Sequence, residues 1–340
     1  MKLRIDFWDV GQGDCSVVTL PDGSLVIIDT GPSTSRLAEW LDYQQTRHRV
    51  NSSVTLVLTH NDLDHCGGAL SVIDKLGSRW TKHFMTLDAM NSNASEQRRK
   101  LYQSIKKKAK GQPDKVKPLL VGTVIHQSTV DGREIIIECV HPPFTDWIGN
   151  GGTKTPQPNK VSGVVCLRVD GNPSVSWGGD AKLSAVAENC GSEGTILVGP
   201  HHGAPEDKDS LDFPNALEKH RPKNVWISVG AGNPHNHPVP DYLRSHSELG
   251  SRVRCSQLRH CSDEHWTDGK HVLSTHGSNG LYAPRNHYLD GKPVKHVYCR
   301  GAIQWNWDDA TNALIPDEND EDHMAAVMDF KGRLCCPSPC

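Results

Sequence analysis

The sequence predicts a mixed α/β layered fold, and three observations carry it. Short β-branched apolar runs recur and end in Gly-rich turns. Helical stretches separate several of these runs. A hairpin signal, Pro21-Asp22-Gly23, joins two of them without a crossover. Strand–helix alternation mixed with antiparallel hairpins is the pattern of sheets layered with helices. Leu3–Val10, Ser16–Leu20 and Leu25–Asp29 read as the first strands, with the hairpin turn before the third. A helix is expected from Ser33 to about Tyr43, with Ser and Thr at its start. Strand 54–59 follows, then a polar loop, then a helix over Ala69–Leu76. Residues 133–140, 163–169 and 173–178 begin a second strand set, which 195–199 and 224–229 complete. Residues 252–254, 294–298 and 301–305 are strand-like pieces in a stretch of weak apolar periodicity.

The polar loop holds the chemistry. Residues 59–68 read Thr-His-Asn-Asp-Leu-Asp-His-Cys-Gly-Gly, which puts His60, Asp62, Asp64 and His65 within six positions. They follow Val54-Thr55-Leu56-Val57-Leu58, a buried-strand pattern. A strand end is a rigid mount, and the loop after it can aim several side chains at one point. Imidazole and carboxylate together suit Zn²⁺, Mn²⁺ or Fe²⁺. Four such ligands exceed what one open catalytic metal needs from one loop, so a two-metal site is expected.

His-x-Asp-x-Asp-His resembles the central motif of the metallo-β-lactamase superfamily, in the variant where aspartate replaces the second histidine. Other matches follow in order. Leu25 to Gly31 resembles the first motif, whose aspartate, here Asp29, supports the metal loop. Ser176-Trp-Gly-Gly-Asp-Ala resembles the strand end that carries the bridging aspartate, here Asp180. Leu197 to Gly203 resembles the late histidine motif. The opening Phe7-Trp8-Asp9-Val10-Gly11-Gln12-Gly13-Asp14, His201-His202-Gly203, and the stretch from Ile227 to His237-Pro238 together resemble the nuclease-like domain of ComEC-type competence proteins. The resemblance spans roughly residues 4–245. It implies a four-layer αββα sandwich with the metal site along one edge. It also makes Arg252–Cys255 and Cys299–Ile303 paired strands that close the domain. One departure stands out: the third motif ordinarily supplies a histidine, and Asn159-Lys160-Val161-Ser162-Gly163 has none. Asn159 is then a weak ligand or a support for the site.

Within that resemblance the expected division is His60 and Asp62 to one metal, Asp64 and His65 to the other, with Asp180 between them. Asp62 in place of histidine tilts the site modestly toward Mn²⁺ over Zn²⁺, because carboxylates are harder donors. Two readings of the late histidines stay open. His202, or His201, is either a ligand or the acid that protonates a leaving alkoxide. His237 then completes the metal shell. Asp64, His202 and His201 are accordingly the candidate catalytic residues.

Segment 95–117 is basic. It carries Arg98, Arg99, Lys100, Lys106, Lys107, Lys108, Lys110, Lys115 and Lys117 against Glu96 and Asp114, and reads as a helix ending near Gly111. A basic helix beside a metal hydrolase site suits phosphate backbones, and Arg98, Arg99 and Lys106–Lys108 are its candidate contacts. Trp147 and Gly149–Gly152 add a candidate stacking surface. A solvated amphipathic helix is the plainer alternative.

The rest bounds the class. The chain has 340 residues and a net charge of −3, too small to choose a partner by global electrostatics. It has no run of 18 apolar residues, and its N-terminus lacks the apolar core of a signal peptide, so a cytoplasmic protein without a membrane span is expected. Of eleven cysteines, Cys15, Cys66, Cys139, Cys166 and Cys190 lie in or beside apolar segments and read as buried thiols rather than a disulfide framework. Cys255, Cys261 and Cys299 with His260 match no regular zinc ribbon. The expected organisation is a hydrolase domain over 1–249, closing strands or a small Cys/His extension over 250–310, and a flexible tail over 311–340. The function expected is a metal-dependent phosphodiesterase or nuclease with two divalent ions, Zn or Mn, and a nucleic-acid substrate. An ester or lactone hydrolase, or a metal-binding regulatory module, are the alternatives.

Overall fold

The computed structural model describes residues 1–316 except 9, 11, 34, 36, 49–51, 87–95, 144–157, 192–195, 205–211, 229–236, 240–241, 243–244, 247, 256–287, 290–291 and 294–302. The stacking candidates Trp147 and Gly149–Gly152 lie outside these residues, as do His260, Cys261 and Cys299. The apolar runs form two sheets. The first contains β1 (Arg4–Phe7), β2 (Ser16–Thr19), β3 (Leu25–Ile28), β4 (Val54–Leu58), β5 (Trp80–Met85) and β6 (Val116–Pro118). The second runs β13-β12-β11-β10-β9-β8-β7, from β7 (Val124–Val130), β8 (Arg133–His141), β9 (Val164–Val169) and β10 (Asn172–Trp177) to β11 (Ile196–Val198), β12 (Asn224–Ile227) and β13 (Arg252–Cys255). A separate ribbon pairs β14 (Tyr288–Leu289) with β15 (Lys292–Pro293). Strands β16 (Ile303–Asp308) and β17 (Ala313–Pro316) extend the first sheet beyond β1.

Burial alternation assigns the layers. One face of each sheet packs into a shared core containing Ile5, Phe7, Val18, Ile28, Val57, Ile137, Val165, Trp177 and Trp226. The outer face of the first sheet, through Val17, Ile27, Leu56 and Leu58, packs on α1 (Leu37–His48), α3 (Ala69–Leu76) and α4 (Glu96–Lys108). The outer face of the second sheet, through Val164, Cys166, Leu197 and Val225, packs on α5 (Leu183–Cys190) and α6 (Asp212–His220). Strands apolar on both faces belong in a buried sheet, and the result is the four-layer αββα sandwich of the metallo-β-lactamase fold.

Three details differ from the sequence expectation. The first helix begins at Leu37 rather than Ser33, because Pro32 and the turn after Gly31 delay it. Arg252–Cys255 does not pair with the strand after residue 300. β13 extends the second sheet in parallel beside β12, while β16 runs antiparallel beside β1. Each covers the open edge of a different sheet, where unpaired backbone groups would otherwise face solvent. Finally, Ala313–Pro316 lies within the stretch expected as tail and forms a ladder strand on β16.

Candidate metal centre

The site lies where strand ends from both sheets meet. β4 ends at Leu58, and its buried extension Thr59-His60-Asn61 leads into Asp62 at the start of α2 (Leu63–Cys66). The short helix keeps Asp64 and His65 on a tight turn, with the His65 N–H donating to the Asp62 carbonyl at 3.0 Å. β10 ends at Trp177, and Gly178-Gly179 then delivers Asp180. Gly179 has φ +50°, and a Cβ there would collide with the Ser162 and Thr59 hydroxyls. This glycine lets the two sheets' loops touch. His201 and His202 follow β11 with φ of +49° and +53°, a left-handed pair that is costly for non-glycine residues and is commonly kept for function.

Two sets of donors result, and Asp180 faces both. His60 Nε2 stands 3.2 Å from Asp180 Oδ2, with Asp62 Oδ2 at 3.8 Å from the same nitrogen and His201 Nε2 at 3.8 Å from Asp180 Oδ2. On the other side His65 Nε2 stands 3.1 Å from Asp180 Oδ1, 3.3 Å from His202 Nε2, and His202 Nε2 lies 3.3 Å from Asp64 Oδ2. Among the described residues no hydrogen-bond partner reaches the buried atoms His60 Nε2 and Asp180 Oδ1, although both converge on facing donors. Buried polar atoms are ordinarily bonded. Convergence without mutual bonding, from imidazole and carboxylate at the spacing of a coordination shell, fits divalent cations.

A second layer fixes the rings. Asp29, itself at φ +57°, accepts the Thr59 N–H at 2.8 Å and hydroxyl at 2.7 Å, and its Oδ2 lies 2.8 Å from His65 Nδ1. That bond turns His65 Nε2 toward Asp180, the usual way an outer carboxylate orients a ligating imidazole. Ser162 accepts the Asp180 N–H at 3.0 Å and sits 3.3 Å from His60 Nδ1. It occupies the region where the third-motif histidine is missing. Asn159 Nδ2 lies 3.4 Å from His201 Nε2. His141 bonds the Lys160 carbonyl and enters neither donor set.

Asp14 is the residue that sequence reasoning missed as part of the site. Its carboxyl is buried, with Oδ1 3.6 Å from His202 Nδ1 and Oδ2 3.9 Å from His65 Nδ1. Gly13, at φ +141°, lets this loop press against the Asp64 carbonyl, where any Cβ would collide. The Ser228 hydroxyl donates to the Gly13 carbonyl from the far sheet. The signal was the Gly-Gln-Gly-Asp run itself, two glycines and an acid leaving a buried strand. The closest donor triplets among the described residues are Asp14–His65–His202 and His60–His65–Asp180; His237, grouped with the ligands from sequence, lies outside both, as do Asp62, Asp64 and His201. The His237 ring stands edge-on to His201, with centroids 5.5 Å apart.

Charge follows this geometry. Burial pushes the Asp180 carboxyl up, but His60 and His65 outweigh it and hold the group well below the usual carboxylate range. The same opposition, won by the His202 contact, lowers Asp64. Burial depresses His65, yet Asp180 and Asp29 raise it well above an ordinary imidazole; Asp14 and Asp64 likewise raise His202 against burial. His201 is lowered by burial, which Asp180 only partly offsets. Burial pushes Asp14 up to about 6, and His202 and His65 only partly offset it.

The basic helix meets the site at one end only. Arg98 pairs with Asp62 Oδ1, leaving Oδ2 toward His60. Arg99 is exposed on the same turn. Lys106 lies over the Tyr102 ring, Lys107 is exposed, and Lys108 pairs with Asp74 of α3. No helix among the described residues is long and apolar enough to cross a membrane.

Residues 8–152 match the family model of the metallo-beta-lactamase superfamily. Among solved structures, the chain is similar to Igni18, described as a novel metallo hydrolase from Ignicoccus hospitalis KIN4/I, at 17% identity and TM-score 0.45, covering 74% of this chain and 94% of that one. It is similar to Zn²⁺-bound PqqB from Methylobacterium extorquens at 11% identity and TM-score 0.41, covering 74% and 97%. It is also similar to a long form RNase Z from yeast at 12% identity and TM-score 0.37, covering 68% of this chain and 37% of that one. Comparison with curated proteins gives no match.

Proposed function

We propose that the protein is a metal-dependent phosphodiesterase that cleaves nucleic acid at a two-metal centre. One observation carries the reading: Asp180 presents one carboxylate oxygen to the His60 set and the other to the His65–His202 set. In this reading His60, Asp62 and His201 hold one ion, Asp64, His65 and His202 hold the other, and Asp180 joins them. Two such ions, Zn or Mn, would supply an activated water near neutral pH and would stabilise charge on a phosphoryl oxygen.

The chain's own part is orientation and charge. Asp29 and Ser162 set the tautomers of His65 and His60 through their Nδ1 atoms. The lowered Asp180 and Asp64 keep their carboxylates ionised, the form a cation needs. His201 is the ligand set's exposed member, 40% accessible, and marks the side from which substrate enters. His237, whose ring stands edge-on to His201 and which is assigned to neither ion, is the candidate to hand a proton toward the leaving group. Arg98 at the Asp62 carboxylate and the lysines farther along α4 favour a polyanion over a small neutral ester. The ladder of β16 and β17 on β1 supports reading the chain to Pro316 as one hydrolase domain.

The test is hydrolysis of bis-p-nitrophenyl phosphate and of single- and double-stranded DNA with Mn²⁺ or Zn²⁺, comparing the wild type with Asp64→Ala. Metal-dependent cleavage that falls by at least about a hundredfold in the variant supports the reading. A wild type that binds two ions and cleaves none of these sinks it.

A further inference from the structure

Beside the metal centre lies a cavity of about 430 Å³ that the ligand shell does not use. It opens between α2 and α4. Its inner wall is Asp62, and Arg98 stands over that carboxylate. Leu63, Leu70 and Leu101 make an apolar side, and Ser104 closes the end nearer the C-terminus of α4. Leu63 is 49% exposed although it sits between two carboxylates of the centre. An apolar side chain displayed at that place has no packing role to explain it.

We propose that this cavity seats the nucleotide adjacent to the scissile phosphate, with its base against the leucine side. The inference rests on the phosphodiesterase reading and adds a substrate subsite to it. Its volume is at the small end for sites that enclose organic ligands, enough for one base and its sugar. The leucine side offers a surface for a base face, which every base has, so recognition is tolerant of sequence. The Arg98 guanidinium has a planar fork suited to a phosphate oxygen pair. It holds Asp62 Oδ1 while Oδ2 faces His60, so the cation is one carboxylate away from the proposed ion. A strand running over Asp62 thus meets metal, guanidinium and apolar wall in succession.

The experiment fills the cavity from the side away from the metals. Ser104→Trp, loaded with Mn²⁺, is compared with wild type on a single-stranded oligonucleotide and on methyl p-nitrophenyl phosphate, a diester too small to need the cavity. The expected result is a loss of about tenfold or more in kcat/KM on the oligonucleotide with methyl p-nitrophenyl phosphate turnover unchanged. Equal kcat/KM on the oligonucleotide, or an equal fall on both substrates in a folded variant, overturns it. Independently, the methyl resonances of Leu63, Leu70 and Leu101 in wild-type protein should shift with AMP and not with inorganic phosphate. Methyls that stay still at saturating AMP overturn the proposal without any variant. If wild type turns over neither diester, the phosphodiesterase reading fails, and the AMP titration still decides what the cavity binds.

Discussion

Asp14 shows what a single buried carboxylate does for a metal centre. It faces Nδ1 of His202 at 3.6 Å while Nε2 of the same ring faces Asp64, so it acts on that ring through charge and raises its basicity. Asp29 also orients His65, through a 2.8 Å contact with its Nδ1. We expect Asp14→Asn to lower affinity for one of two ions by about 10- to 100-fold, the usual effect of losing an outer partner, while the fold stays intact. Competition with a chromophoric chelator measures both affinities. Two ions bound as tightly as in wild type would refute the role. His60 through His65 were legible in the sequence because the motif is contiguous and its spacing is its geometry. Asp14 and Ser162 were not. The one reaches His202 across 188 positions and the other supports Asp180 from a different strand, so their roles exist only once the sheets have been stacked.

The basic helix α4 was legible as an element, and its bounds of 96–108 lie within three residues of the reading. Arg98, Arg99 and Lys106–Lys108 were its candidate contacts; Arg98 reaches the Asp62 carboxylate, and the lysines lie eight to ten residues beyond it, roughly 12–15 Å along the axis. The pairs of Lys100 with Glu96 and Lys108 with Asp74 are exposed, so they do not cancel the helix's attraction for phosphates. Replacing Lys106, Lys107 and Lys108 by glutamate should therefore weaken DNA binding and flatten its salt dependence, each lost phosphate contact reducing the log–log slope by about one. Hydrolysis of bis-p-nitrophenyl phosphate should be unchanged, since the substituted end is remote from Asp62. Salt titrations of oligonucleotide binding report the slope, and an unaltered slope would remove these lysines from the interface.

At the scale of the whole molecule, the three cores built from alternating strands were readable from periodicity, because a strand buried on both faces announces itself as an unbroken apolar run. Which strand closes which edge was not, since both β13 and β16 are short and their partners lie far off in the chain. The interior also holds titratable groups outside the centre, and these set the acid limit of the fold. His83 on β5 lies against Trp80 with both ring nitrogens buried and without a partner among the described residues, and burial depresses it to about 3. His246, beside Tyr242, is likewise held to about 3, first by burial and then by His220. Unfolded, each titrates near 6.5. The folded state therefore binds fewer protons between those values. Stability is full above about 6.5 and falls as pH drops toward 3, at about 1.4 kcal/mol per pH unit for each histidine. Asp14, raised to about 6, works the other way, but over the narrower span down to its unfolded value. His83→Leu removes one of the two histidine contributions and also a buried polar ring without partners, so it should stabilise the protein by about 1–3 kcal/mol at pH 7. Its advantage should then widen as the pH falls toward 4. Urea midpoints of both proteins at pH 7, 6, 5 and 4, at one fixed metal concentration, measure this. His83 lies away from the ligand sets, so metal release at low pH affects both proteins alike and cancels in the difference. Parallel curves would mean that His83 is protonated without cost in the folded chain, and that the layer between β5 and its helices opens to water before the molecule unfolds.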